Sequence, residues 1–147
     1  MILLRSLLFA LIQAAFTPFF SFVSLLTFPF HPMTRYKVIS QWARIMVYLV
    51  AKICGVKYRV EGLENIPDRP CVVLSNHQSA WETIAFQIIL PPQVWVLKKE
   101  LLKIPFFGWG LAMTSPIAID REEGRAALKQ MIEQGKERLK TGFFVIV

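Results

Sequence analysis

Between Arg5 and Arg35 the chain carries no formal charge, and residues 6–30 read SLLFALIQAAFTPFFSFVSLLTFPF. About 25 uncharged residues would reach roughly 37 Å as one helix, enough to cross a hydrocarbon core. Pro18 sits in the middle of this run, and Pro29 and Pro32 close it. An internal proline removes a backbone hydrogen bond and kinks a helix. The segment therefore reads either as one membrane-spanning helix or as a re-entrant hairpin of two half-helices dipping into one leaflet. A cleaved signal peptide fits less well, because the apolar stretch is too long and lacks a small-x-small cleavage site. His31, between Pro29 and Pro32, reads as a loop residue at the membrane boundary.

From Arg35 the chain changes to an ordinary mixed composition. Over residues 35–55, Val38, Ile39, Trp42, Ile45, Met46, Leu49, Val50 and Ile53 recur at three- and four-residue steps. That spacing predicts an amphipathic helix. Arg35, Lys37, Arg44 and Lys52 lie off the stripe, and Gly55 is placed to cap the end. Such a basic helix either lies in the lipid interface or packs on a domain core.

Beyond Val56, short apolar runs alternate with helical stretches. Residues 58–60, 71–75, 94–97, 117–119 and 143–147 read as strands, with 71–75 a buried one. Residues 79–90 and 122–140 read as helices, the second with a solvated face, and 62–70 as a turn-rich loop. The alternation predicts an α/β domain with a largely parallel sheet. The expected organisation is a hydrophobic membrane segment over residues 1–33, a basic amphipathic helix over 34–55 and a partial α/β domain over 56–147. The last run is an apolar strand with nothing after it, so the domain is expected to be incomplete at its C-terminal end.

The net charge is +7, from 17 Lys and Arg against 10 Asp and Glu. A basic balance suits nucleic acid, an anionic membrane or a phosphorylated substrate. Beside the apolar run the anionic lipid surface is favoured, and no recognition motif or Lys/Arg-rich run points to nucleic acid. Cys54 and Cys71 are too few and too far apart for a metal site or a disulfide framework. They read as buried free thiols, and no metal is expected.

Residues 76–82, Asn-His-Gln-Ser-Ala-Trp-Glu, carry the most chemical information. A strand delivers His77 to the point where the chain turns into a helix, and sites in open α/β sheets form at such strand ends. An imidazole titrates near neutrality, so it can take a proton from an alcohol. A carboxylate on its other ring nitrogen would hold the tautomer. Five residues on an ideal helix subtend about 140°, so His77 and Glu82 meet only if His77 precedes the helix. Ser79-x-x-Glu82 is also a capping box, so Glu82 reads equally as cap or as catalytic partner. Taken alone, His77 also reads as a buried, satisfied histidine, and Ser79 reads as a cap rather than a nucleophile. Lys98, Lys99 and Lys103 also read as a solvated basic edge. Phe106, Phe107 and Trp109 suit an acyl channel, a membrane contact or a core, and Gly108-x-Gly110 lacks the rest of a nucleotide fingerprint.

Asn76-His77-x-x-x-x-Glu82 resembles the first motif of the glycerolipid acyltransferases, particularly the lysophosphatidic acid acyltransferases. Residues 98–108, KKELLKIPFFG, resemble the segment leading into that family's second motif. Ile117-Ala118-Ile119-Asp120-Arg121 resembles the second motif itself. The overlap runs from about Val56 to the end of the chain, with three segments in the family's order. Three departures stand out. The acid of the first motif is usually Asp, and here it is Glu82. A glycine usually precedes the second motif's strand, where this chain has Ser115-Pro116. A third motif of the Glu-Gly-Thr-Arg type does not occur, and its expected place is just beyond residues 143–147.

The resemblance implies direct acyl transfer to the free hydroxyl of 1-acylglycerol 3-phosphate, forming phosphatidic acid. The donor would be acyl-CoA or acyl-carrier protein, with no other cofactor. His77 would be the general base and Glu82 its orienting partner. Asn76, Lys98, Lys99 and Arg121 would bind substrate, the last three through its phosphate. The implied setting is the inner (cytoplasmic) membrane with the catalytic domain facing the cytoplasm. Glycerol 3-phosphate, another lysophospholipid or an acylated amino-acid lipid are alternative acceptors. A membrane-anchored module that binds anionic lipid without turnover is the alternative of a different kind.

Overall fold

The computed structural model describes residues 2–76 and 78–147, with the backbone alone of Arg121. The uncharged run forms one helix, α1 (Ile2–Leu26), which continues unbroken through Pro18. The break that two re-entrant half-helices need is not made there. Beside the proline, the Thr17 hydroxyl donates to the Gln13 carbonyl at 2.7 Å, the kind of contact that lets an apolar helix tolerate proline.

The helix α1 is inverted relative to one from a water-soluble protein. Leu3, Leu7, Leu11, Phe19, Phe22 and Leu26 are exposed, whereas Ser21 and Ser24, and Thr27 just past the helix end, are buried. Apolar area turned outward on this scale marks a surface that water does not cover, and small hydroxyl residues turned inward allow close helix packing. By length and composition α1 suffices to cross a membrane.

The next helix, α2 (Pro32–Leu49), starts at His31, whose Nδ1 accepts from the Met33 amide at 3.3 Å. Pro32 fits the first turn, where no N–H is needed. A π-helical turn, Val50–Cys54, extends it to Gly55, which takes the left-handed conformation at φ 73°. That ending is the cap anticipated at Gly55. The buried face comprises Tyr36, Ile39, Ser40, Ala43, Met46 and Val47, sharing only Ile39 and Met46 with the stripe read from sequence. Trp42, Ile45 and Leu49 end half-buried. The face is rotated toward Ser40 and Ala43 because small residues let α2 approach its neighbours closely. Through this face α2 packs on α1 and on helices of the following domain.

Four strands form one parallel sheet: β1 (Val72–Val73), β2 (Gln93–Lys98), β3 (Ile117–Ile119) and β4 (Phe144–Ile146), in the order β1-β4-β2-β3. Three helices connect them: α3 (Ala80–Ile89), α4 (Phe107–Met113) and α5 (Arg125–Lys140). One face of the sheet buries Val94, Ile117, Phe143 and Val145 with Tyr36, and Met131 and Leu139 of α5 pack against them. On α3, Phe86 stacks on Trp95 with ring centroids 5.9 Å apart. The α/β architecture and parallel sheet match the expectation from alternating runs.

Two local expectations do not hold. Residues 58–60 form no strand: Tyr58 instead packs edge-on against Trp81 at 5.1 Å, and Arg59 pairs with Glu61 in solvent. The 71–75 run is not a buried strand. Its backbone bonds to the β4 segment from Cys71 to Ser75, with strand geometry over Val72–Val73, and Val72 and Leu74 are 52% and 83% exposed. The buried central strand is β4, all three of whose residues are covered.

Candidate active site

The first motif lies where β1 gives way to α3. Ser79, extended at φ −150° and ψ 162°, is the N-cap, and the full capping box is present. The Ser79 hydroxyl accepts from the Trp81 amide at 3.3 Å. In return, Glu82 Oε2 accepts from the Ser79 amide at 2.6 Å and from the Gln78 amide at 3.2 Å. Glu82 therefore does act as the cap, and the Ser79 hydroxyl is engaged at the start of α3. A carboxylate has two oxygens and several lone pairs, so capping through Oε2 is compatible with a second role. Asn76 is exposed just beyond β1. His77 lies outside the described residues.

The second motif follows β3, which runs beside β2 with Lys98 opposite Ile119. Lys98 ends β2 and Lys99 opens a 3-10 turn, Lys99–Lys103; both lysines are exposed. Asp120 Oδ1 accepts from the Glu122 amide at 3.0 Å, and its carbonyl accepts from the Glu123 amide at 3.3 Å. These bonds fold the 3-10 turn Arg121–Glu123, which carries Arg121. Sequence reasoning gave Asp120 no such role. The signal was there, since Asp commonly bonds a backbone amide two residues on.

Because all four strands run the same way, Asn76, Lys98, Lys99 and Arg121 emerge at one edge of the sheet. Strands lie about 4.8 Å apart. The β1 end is then roughly 10 Å from Lys98 and roughly 14 Å from the backbone preceding Arg121. Glu82, in the first turn of α3, stands over the same edge. An acid held by backbone amides at one side and a row of basic residues at the other suits a phosphorylated alcohol. Among the described residues, no three His, Cys, Asp or Glu side chains converge as a metal site would require. Cys54 and Cys71 are free, and both are half-buried rather than buried.

The model of the acyltransferase family matches residues 57–147. The chain belongs to the acyltransferase family. It is 44% identical over 146 residues to a 1-acyl-sn-glycerol-3-phosphate acyltransferase of Pseudomonas aeruginosa, covering 98% of this chain and 57% of that one. A yeast protein of the same description, from Saccharomyces cerevisiae, is 30% identical over 105 residues, 69% of this chain and 34% of its own. The crystal structure of the 1-acyl-sn-glycerophosphate acyltransferase of Thermotoga maritima superposes with a TM-score of 0.70 at 26% identity. That comparison covers 99% of this chain and 59% of the Thermotoga chain. The chain thus spans just over half the length of the Pseudomonas and Thermotoga proteins.

Substituting Glu82 tests whether it has a role beyond the cap. Glutamine also completes a capping box, so Glu82→Gln keeps α3 capped while removing the charge. A carboxylate that orients a base is expected to be missed by at least about tenfold in kcat, with the thermal midpoint nearly unchanged. Unchanged kcat would reduce Glu82 to a helix cap.

Proposed function

We propose that this chain carries the acyl-transfer chemistry of a 1-acylglycerol-3-phosphate acyltransferase. The observation that carries the reading is the convergence of the Asn76–Glu82, Lys98–Lys99 and Asp120–Arg121 segments at the C-terminal edge of one parallel sheet, in a chain 44% identical to a protein of that description.

In this reading His77 takes the proton from the free glycerol hydroxyl as the oxygen attacks the thioester carbonyl of acyl-CoA or acyl-carrier protein. The tetrahedral intermediate collapses to the ester, and the departing thiolate receives the proton from the imidazolium. Glu82, immobilised by the Ser79 and Gln78 amides, would steady the imidazole and its transient charge. Lys98, Lys99 and Arg121 would neutralise the acceptor phosphate, and Asn76 would help position it. Guanidinium matches phosphate with a two-pronged bond that lysine does not provide.

The exposed apolar side of α1 would place the domain at the bilayer, where acceptor and product reside. Phe106, Phe107 and Trp109 extend that side: each is roughly two-fifths exposed rather than in a core, and Phe106 lies 6.3 Å from Phe22 of α1. The cytoplasmic face of the inner membrane is the proposed setting, since both candidate donors are made in the cytoplasm.

A zebrafish relative, 28% identical over 140 residues, is described as a lysocardiolipin acyltransferase, so acceptor choice is the point to test. Acylation by the protein in vesicles should be measured with lysophosphatidate, glycerol 3-phosphate and lysocardiolipin. Lysophosphatidate should give the highest kcat/KM. A preference for either of the others would transfer the proposal to that acceptor.

A further inference from the structure

Among the described residues only two non-glycine positions have positive φ: Phe106 at 61° and Ser115 at 60°. Such backbone is disfavoured for residues bearing a Cβ and persists where surrounding contacts enforce it. The two positions bracket α4, one just before Phe107 and the other two residues after Met113. Each is gripped by a helix from the N-terminal part of the chain. The Ser21 hydroxyl of α1 donates to the Phe106 carbonyl. Arg35 of α2 donates through Nη2 to the Ser115 hydroxyl at 3.1 Å. Arg138 of α5 then donates through Nε to the Ser115 carbonyl at 2.9 Å.

Two features show how tightly the segment is held. A Cβ on Gly108 would stand 2.3 Å from the Leu102 carbonyl oxygen, so α4 lies directly against the turn that follows Lys98. Arg35 keeps its Nε buried with no hydrogen-bond partner among the described residues. Burying a guanidinium nitrogen without a partner is unfavourable, so the bond to Ser115 is retained against a penalty. Ser115 takes this backbone although it carries a Cβ. Glycine would take positive φ without strain, but it would offer Arg35 no hydroxyl.

We propose that Ser21 and Arg35 are positioning residues that hold α4 at its two strained ends. They thereby set the β2–β3 connection, which starts from Lys98 and Lys99 and leads into β3, the strand that Arg121 follows. The N-terminal helices then do more than attach the domain to lipid: they are built into the geometry of the phosphate-binding edge. This rests on reading Lys98, Lys99 and Arg121 as the phosphate-binding residues.

The test compares Arg35→Ala, Ser115→Ala and their double variant in vesicles, with Arg35→Lys as the conservative control. Each alanine variant should raise the KM for lysophosphatidate roughly three- to tenfold, with kcat and the donor KM changed less than about twofold. Because the two residues act through one bond, the double variant should be no worse than the singles. Arg35→Lys should recover part of the loss. Ser21→Ala should raise the same KM. Amide exchange over residues 117–122 should quicken in Arg35→Ala while the thermal midpoint stays close to that of the unaltered protein. Additive losses, equal damage to both substrates, or exchange unchanged at β3 would overturn the proposal. The exchange readout needs no turnover, so it judges the clasp even where the unaltered protein fails to acylate lysophosphatidate, an outcome that would sink the functional reading instead.

Discussion

Replacing His77 by alanine should lower kcat for acyl transfer by about 10²- to 10⁴-fold, the range for loss of a positioned general base. The glycerol hydroxyl is a poor nucleophile while it keeps its proton, and the neighbouring Ser79 is engaged at the α3 cap. His77 is the one histidine among residues 76–82. The substitution leaves α1 and its exposed apolar side untouched, so co-sedimentation with vesicles should be unchanged. Initial rates of thiol release, measured beside that binding assay, decide the matter. Turnover within a fewfold of the unaltered protein would remove His77 from the mechanism. Lost vesicle binding would point to a folding defect.

Replacing Arg121 by alanine should raise the KM for lysophosphatidate roughly ten- to hundredfold, the expected effect of losing one or more charge-assisted bonds to phosphate. The donor KM should move far less. Arg121 follows β3 on a turn folded by Asp120. Arg121→Lys should recover only part of the affinity, because an ammonium supplies charge without the planar fork. Separate titrations of acceptor and donor check this. Parallel loss of both affinities would mean that residue 121 supports the fold rather than the phosphate.

How much of this was legible in the sequence depended on how local the determinants are. The α1 segment was evident because lipid requires length without charge, yet Pro18 suggested a break that the helix does not make. The Ser79–Glu82 cap was legible because it is closed by groups three residues apart. The buried face of α2 was misplaced because Ser40 and Ala43 are chosen for close approach rather than for apolarity. The 58–60 run pairs with none of the described strands, and Tyr58 is taken up by Trp81. β1 read as buried because its residues are apolar, although it lies at the sheet edge. The Arg35–Ser115 bond joins residues 80 apart in sequence. No periodicity or spacing encodes such a contact, and only the unusual Ser115-Pro116 marked the place.

The most direct test of the account is whether thiol release from the acyl donor requires the acceptor. The protein in vesicles should be mixed with acyl-CoA alone and then with lysophosphatidate, following free thiol and the intact protein mass together. Direct transfer through His77 predicts no rapid thiol release and no acylated protein until lysophosphatidate is added, followed by thiol and phosphatidic acid in equal amounts. A stoichiometric burst of thiol without acceptor, with one acyl chain added to the protein mass, would show a covalent acyl-enzyme and contradict the account.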